Sequence, residues 1–242
     1  MGVIIFNNIS SSDLGLEVET FPAYEVPEKE YDVVHVPGRN GDLLIDNGTF
    51  SNVPRQYKVS VAALSTPFYK KMNEVVEWLH SASGYSRLED SYEPDYYRMA
   101  CYRESNSIEN IFNQAGRGTI NFDCRPQRYL KIGDVAVEFT SSGTITNPTV
   151  FPSKPIIKVY SSNSQFGTVR IGGYSFVLKP SSGSTSIEVD SEIQDVYDGY
   201  KNMNSAIVLN GGEFPKLMPG GNNIEFTANI QKVEVIPKWW TI

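Results

Sequence analysis

Carboxylates, imidazoles and thiols are the side chains that move protons, hold metals or attack electrophiles, and this sequence groups few of them. Glu89-Asp90-Ser91-Tyr92-Glu93-Pro94-Asp95 brings four carboxylates into seven residues, a density that suits a calcium loop or the acid and base of a glycosidase. The oxygens miss the one-three-five spacing and central glycine of an EF-hand, and an open loop is a poor place to raise an acid's pKa. A solvated charged loop is expected instead. Histidine, the usual general base, occurs twice, at His35 and His80, and Cys101 and Cys124 lack the paired spacing of a zinc site. Each cysteine reads as a small buried hydrophobe. There is no Gly-x-Ser-x-Gly elbow, no phosphate loop and no His-Glu-x-x-His helix. The sequence therefore predicts no enzyme: no catalytic residue, no cofactor and no metal site.

The elements that must position these residues read mostly as strands. Up to about residue 62, apolar positions alternate over short stretches broken by Gly, Pro and Asn. His35 lies in one such run, Val33-Val34-His35-Val36, as an ordinary sheet residue. Asp42-Leu43-Leu44-Ile45 leads into Asp46-Asn47-Gly48-Thr49, a strand entering a tight hairpin turn, because Asn-Gly accepts positive φ. Residues 55–63 alternate, with Tyr57, Val59, Val61 and Ala63 on one face. One helix is expected over about 66–82, with Thr66 as N-cap, Pro67 at the first helical position and Phe68, Met72, Val75, Val76 and Leu79 at helical spacing. Gly84 supplies a left-handed cap and His80 sits in the last turn, favoured by the dipole. Strands follow at 96–102 and 119–124, the second with Ile120, Phe122 and Cys124 on one face.

Composition sets the frame. Apolar residues at 40% and charged residues at 20% exclude disorder, and 242 residues accommodate two modest domains. No run of about 18 apolar residues and no basic leader is present, so neither a membrane span nor a secretory signal is expected, and the chain is placed in a cytoplasm. With 21 Lys and Arg against 28 Asp and Glu, the net charge of -7 has the wrong sign for gripping phosphates. Residues 1–140 hold 13 basic and 20 acidic groups, residues 141–242 eight of each. That break, beside the turn-prone stretch Thr140-Ser141-Ser142-Gly143-Thr144 with Pro148 and Pro152, places a boundary between domains 1–140 and 141–242. Beyond it, seven short β-runs begin near residues 156, 169, 174, 186, 206, 223 and 232. Gly172-Gly173, Gly211-Gly212 and Pro219-Gly220-Gly221-Asn222 punctuate them as turns, the pattern of a β-sandwich or jelly roll. The fold class is mainly β: a β-rich first domain with one α-helix, then a sandwich.

One order of motifs spans nearly the whole chain. Gly38-Arg39-Asn40-Gly41-Asp42-Leu43 precedes a strand and a helix ending Glu77-Trp78-Leu79-His80. Then come Tyr96-Tyr97-Arg98-Met99-Ala100, Phe122-Asp123-Cys124-Arg125-Pro126-Gln127-Arg128-Tyr129-Leu130, Phe214-Pro215-Lys216-Leu217-Met218-Pro219-Gly220-Gly221-Asn222 and Pro237-Lys238-Trp239-Trp240. In this order the chain resembles the distal tail proteins of siphophages infecting Gram-positive bacteria. The resemblance implies a structural virion protein of the tail tip, assembled in the bacterial host cytoplasm. It implies a homohexameric ring, single or as a back-to-back dodecamer, built by the N-terminal domain, with a galectin-like C-terminal domain projecting outward. The implied partners are the tail tube protein on one side and a tail-associated lysin, tail fibre or receptor-binding protein on the other. DNA passes through without specific binding, and no membrane is involved. Residues 134–242 contain no histidine, so the His/Asn/Arg sugar site of a galectin cannot be assembled there.

On this reading Gly38, Arg39, Asn40 and Gly41 are oligomer-interface candidates, since glycines permit close backbone approach and an arginine fork pairs with a carboxylate. A plain hairpin turn with a solvated arginine is the equal alternative. Part of the acidic surplus of residues 1–140 is expected to face the ring's channel; a lumen lined by Arg39, Arg55, Lys58 or Arg128 would contradict this. The competing function is a carbohydrate-binding sandwich for host cell-wall attachment, drawing on the 14 tyrosines. A wall-degrading hydrolase is a third class, with only Glu89 to Asp95 to serve it.

Overall fold

A computed structural model of the protein describes residues 2–63, 66–103, 108–111, 114–161, 166–179 and 186–242. The chain divides into two compact units, Met1–Arg128 together with Ile242, and Tyr129–Thr241. The charge break near 140 thus falls inside the second unit. Charge marks where the surface changes, whereas strand pairing marks the fold, and residues 137–147 already pair with strands at the far end of the sequence.

In the first unit β1 (Ile4–Phe6), β2 (Ile9–Ser10) and β3 (Leu16–Val18) precede β4 (Lys29–Val34), β5 (Leu43–Phe50) and β6 (Val53–Ala62). Helix α1 (Phe68–Leu79) follows, then β7 (Ser86–Asp90), β8 (Tyr96–Cys101), β9 (Ile108–Ile111) and β10 (Ala115–Leu130). The main sheet runs β2-β1-β7-β8-β10-β6-β3, with β9 also paired to β10. Its spine is the antiparallel β6–β10 pair, in register from Ala62 opposite Ala115 to Val53 opposite Cys124. Strict period-2 burial along β6 turns Val53, Arg55, Tyr57, Val59 and Val61 inward. Phe68, Val75, Trp78 and Leu79 of α1 lie over that face, and the Trp78 indole donates to the Phe6 carbonyl at 3.1 Å. Phe6 then packs edge to face with Trp78 and at a tilt against Phe122 in the core.

The helix differs from expectation at both ends. Pro67 is the cap, in extended conformation with no side-chain bond, and the helix stops at Leu79 with His80 as its C-cap. The Pro67 carbonyl takes the first bonds of the helix, from the Lys70 and Lys71 N–H groups at 3.0 and 3.2 Å, which leaves Thr66 one residue outside it. The Asp46-Asn47-Gly48-Thr49 stretch is likewise no hairpin turn: β5 runs through it as a bulge opposite Lys29 to Tyr31. Gly48 has φ +70° and its N–H bonds the Asp46 carboxylate at 2.8 Å. A bulge and a turn ask for the same left-handed residue, so the dipeptide could not distinguish them.

The second unit contains β11 (Val137–Phe139), β12 (Gly143–Asn147), β13 (Ile156–Ser161), β14 (Gly167–Ile171), β15 (Tyr174–Leu178) and β16 (Ser186–Asp190). It continues with β17 (Asp195–Asp198), β18 (Lys201–Asn202), β19 (Ile207–Asn210), β20 (Gly220–Phe226), β21 (Ile230–Ile236) and β22 (Trp240–Thr241). Two antiparallel sheets, β11-β21-β13-β16-β17-β18 and β12-β20-β14-β15-β19, close on one core that includes Ile157, Val159, Phe176, Val189, Ile224 and Val233. This is a β-sandwich. The Pro219 to Asn222 segment is the start of β20 rather than a turn. Buried Asn222 accepts from the Met218 N–H at 2.9 Å and donates to its carbonyl at 2.8 Å, which pins that entry.

Candidate assembly interface

The four candidate residues form the tip of a long two-stranded ribbon. Among the described residues, strands β4 and β5 pair only with each other, with Val33 opposite Leu44 and Val34 opposite Leu43. Gly38 and Gly41 carry φ +81° and +80°, which lets residues 35–42 reverse the chain, and the Arg39 N–H closes the turn on the Val36 carbonyl at 3.1 Å. His35 bonds Asp42 at 3.1 Å across the foot of the tip. Among the described residues Arg39 has no ion-pair partner. Farther down, Lys29 pairs with Asp46, and Thr49 donates to Glu30 at 2.7 Å.

Both faces of the ribbon are open. Val33 is 61% exposed, Leu44 57% and Ile45 48%, and Tyr31, Val34 and Leu43 are exposed with them. Isolated two-stranded hairpins are marginal in water, and open sheet edges are templates for further pairing. The ribbon is acidic as well as apolar. Residues 19–50 hold seven acidic and two basic groups, leaving 13 acidic and 11 basic in the rest of residues 1–140. Most of the surplus charge therefore sits on this element and the segment leading to it.

The acidic stretch 89–95 is not the solvated loop expected. Asp90 and Arg55 keep only 5% and 4% of their side-chain surface, and the Arg55 guanidinium bonds Asp90 at 2.9 Å and Glu93 at 3.1 Å. Glu93 also takes Arg98 at 3.2 Å and Arg128 at 2.6 Å, so three arginines share one carboxylate. Asp90 further accepts from the Tyr57 hydroxyl at 2.7 Å and from the N–H groups of Tyr92 and Glu93, both at 2.9 Å. Burial acts to raise Asp90, but the bonds from Tyr57 and Arg55 prevail and hold its carboxyl below the usual range. A general acid needs the opposite shift. This is a structural ion cluster, and it removes the one constellation that favoured a hydrolase. It also removes Arg55 and Arg128 from any channel wall.

One signal of the cluster was readable: Arg55 shares the parity of buried Tyr57. Its partners lie 35 and 38 residues away in a loop whose approach no periodicity announces. The remaining candidates play structural parts. Cys124 is buried and its thiol is pushed up to about 12 by that burial. His80 caps α1 with its ring edge on Tyr102, centroids 5.1 Å apart.

In the second unit the outward face of the larger sheet carries one straight row, Glu138, Glu234, Lys158, Glu188 and Tyr197, each opposite the next. Lys158 pairs with Glu188 at 3.0 Å, Lys232 with Glu138 at 3.1 Å and with Glu234 at 2.6 Å, and the Tyr160 hydroxyl donates to Glu234 at 3.2 Å. Lys232 holds the Glu234 carboxyl below its usual range. The polar groups satisfy one another along the sheet, unlike a saccharide platform, which keeps donors and acceptors convergent and unspent.

No family model and no curated protein matches the sequence. Among solved structures the chain is similar to a chain of the phage P2 baseplate in its activated conformation with calcium, at 12% identity over 97% of each chain and a TM-score of 0.60. It is also similar to the SPP1 Dit protein, gp 19.1, described as a paradigm of the hub adsorption apparatus of phages infecting Gram-positive bacteria. That likeness covers 100% of both chains at 14% identity and a TM-score of 0.78. At such identities the likeness is one of fold, and the fold of this chain, end to end, is that of the SPP1 Dit hub protein.

Proposed function

We propose that the protein is a structural component of a phage tail tip: a distal tail hub, located in the virion and assembled in the host cytoplasm, that joins the tail tube to the adsorption apparatus. The observation that carries the ring is the β4–β5 ribbon, an acidic, two-faced apolar element that, among the described residues, has no other strand along either edge. A ribbon of this kind is completed by a neighbour. When its receiving surface is a different patch of an identical chain, the contact is heterologous and closes into a ring. The whole-chain likeness to the Dit fold supports the same reading. The proposed assembly has six copies, or twelve back to back, docked on the tube on one side and on a lysin, fibre or receptor-binding protein on the other. The nearly balanced charge left outside residues 19–50 suits a lumen through which DNA slides without being held.

The test is the solution mass by light scattering coupled to size exclusion. Six or twelve chains are expected. A monomer at high concentration that stays monomeric with the tail tube protein added would sink the reading.

A further inference from the structure

Residues 20–28 lead from β3 to the ribbon without regular structure. Among the described residues, Phe21, Ala23 and Tyr24 tie this strap to the body, and Pro27 is buried as well. The Phe21 ring packs on Tyr92 with centroids 4.4 Å apart. The Ala23 carbonyl accepts from Arg55 Nη1 at 2.9 Å. The Tyr24 ring lies under the Arg128 guanidinium at 4.9 Å, with Tyr96 at 4.9 Å from the same group. Pro22 and Pro27 fix φ within the strap and extend the residues before them. The ribbon's return leg is short: Ser51 closes the base by donating to the Glu28 carbonyl at 2.9 Å, and β6 begins at Val53.

Arg55 lies on β6, just beyond that return leg, and its fork reaches the outgoing strap. An element attached through one leg swings about it, whereas one tied at both legs points in a single direction. A buried ion cluster is a weak route to stability, since well-packed apolar residues serve as well or better. What apolar residues cannot supply is a donor aimed at a strap carbonyl and a flat cation against a strap ring. The geometry points to Arg55, Glu93 and Arg128 as positioning residues for assembly: the buried cluster ties the strap to β6 and so sets the direction in which the ribbon meets the next subunit. This rests on the ring reading above. The acidic turn thereby gains a role, because Glu93 holds Arg55 and Arg128 in place together.

The experiment uses the full chain with hydrogen exchange over residues 19–50, the assembled mass against concentration, and the thermal midpoint. Tyr24→Ala loosens the strap from its own side and leaves every ion pair of the cluster in place. If the freed ribbon points correctly about a tenth of the time, apparent affinity between subunits falls about tenfold. The expected result is faster exchange in the strap, about tenfold more protein needed for half-assembly, and an unmoved midpoint. Tyr24→Phe restores wild-type behaviour, because the ring face and not the hydroxyl meets the guanidinium. Arg55→Lys keeps the charge but loses the fork, and reproduces the strap exchange and the weaker assembly of Tyr24→Ala with a lowered midpoint, because it also disturbs the buried cluster. Unchanged strap exchange in Tyr24→Ala, or a released strap with unaltered assembly, overturns the proposal. A monomeric wild type would fail the ring reading alone, with strap exchange still reporting on the tie.

Discussion

Tyr57 and Asp90 meet at 2.7 Å in the interior of the first unit, a phenol donating to a carboxylate that keeps one twentieth of its surface. Burial holds the Tyr57 hydroxyl well above its ordinary value, so the proton stays on the phenol and the charge on Asp90. The pair faces Arg55, and the three form a unit in which no member is expendable.

Asp90→Asn should therefore destabilise the first unit by about 3–5 kcal/mol, because it leaves buried Arg55 without its closest counter-charge. The same group predicts an acid limit. Its folded pKa lies below the unfolded value near 3.8, so its contribution is complete above that value and is lost as pH falls through the folded one. The gap in denaturant melts between wild type and Asp90→Asn should be full above about pH 4 and should close as pH falls from there through the folded value. A constant gap across that range would remove the ionised carboxylate from the account.

The ribbon gives a prediction in which stability and assembly separate. Leu44→Asp or Val33→Asp changes exposed side chains, so the unfolding free energy should move by no more than about 0.5 kcal/mol. The ring should be lost from the mass profile. Arg39→Ala at the tip should weaken it to a lesser degree, as one charge-assisted contact removed from a larger interface. Full-sized rings in all three variants would make the tip a plain turn and place the subunit contact elsewhere.

Cys124 should resist alkylation in the native protein at pH 8, since only the thiolate reacts and burial keeps it protonated. Half-buried Cys101 should react slowly, and both should react at once in denaturant. Peptide mass spectrometry after iodoacetamide reads the difference; rapid native labelling of Cys124 would contradict its burial in the core of the first unit.

The strands that faced a core on one side were legible because alternation is a direct record of burial: residues 55–63 showed their inward set, and so did Ile120, Phe122 and Cys124. Elements whose surroundings are long-range were not. Asp90 and Glu93 looked like a solvated loop because the arginines that bury them come from β6, β8 and β10. The ribbon's strands were visible, but their exposure was not, since Val33, Val34, Leu43, Leu44 and Ile45 carry the composition of core strands. A sequence reports that a residue wants burial and does not say in which chain. Strand β12 hides in the turn-prone stretch at 140–144 because Ser-Gly-Thr composition is shared by turns and edge strands alike.

The distribution of charge along the ribbon bears on which encounters between newly made chains are productive. Two ribbons meeting edge to edge along β4 would bring Glu30 and Asp32 of one towards the same residues of the other, with Lys29 of each already engaged by its own Asp46. Like charges placed opposite on paired strands are unfavourable, and edge charges are a known guard against indiscriminate sheet extension. Arms of this kind repel arms. The self-complementary dimer, which would stop growth at two copies, is discouraged before it forms, and each sticky element is left to find a surface unlike itself, the condition under which identical pieces go round in a circle.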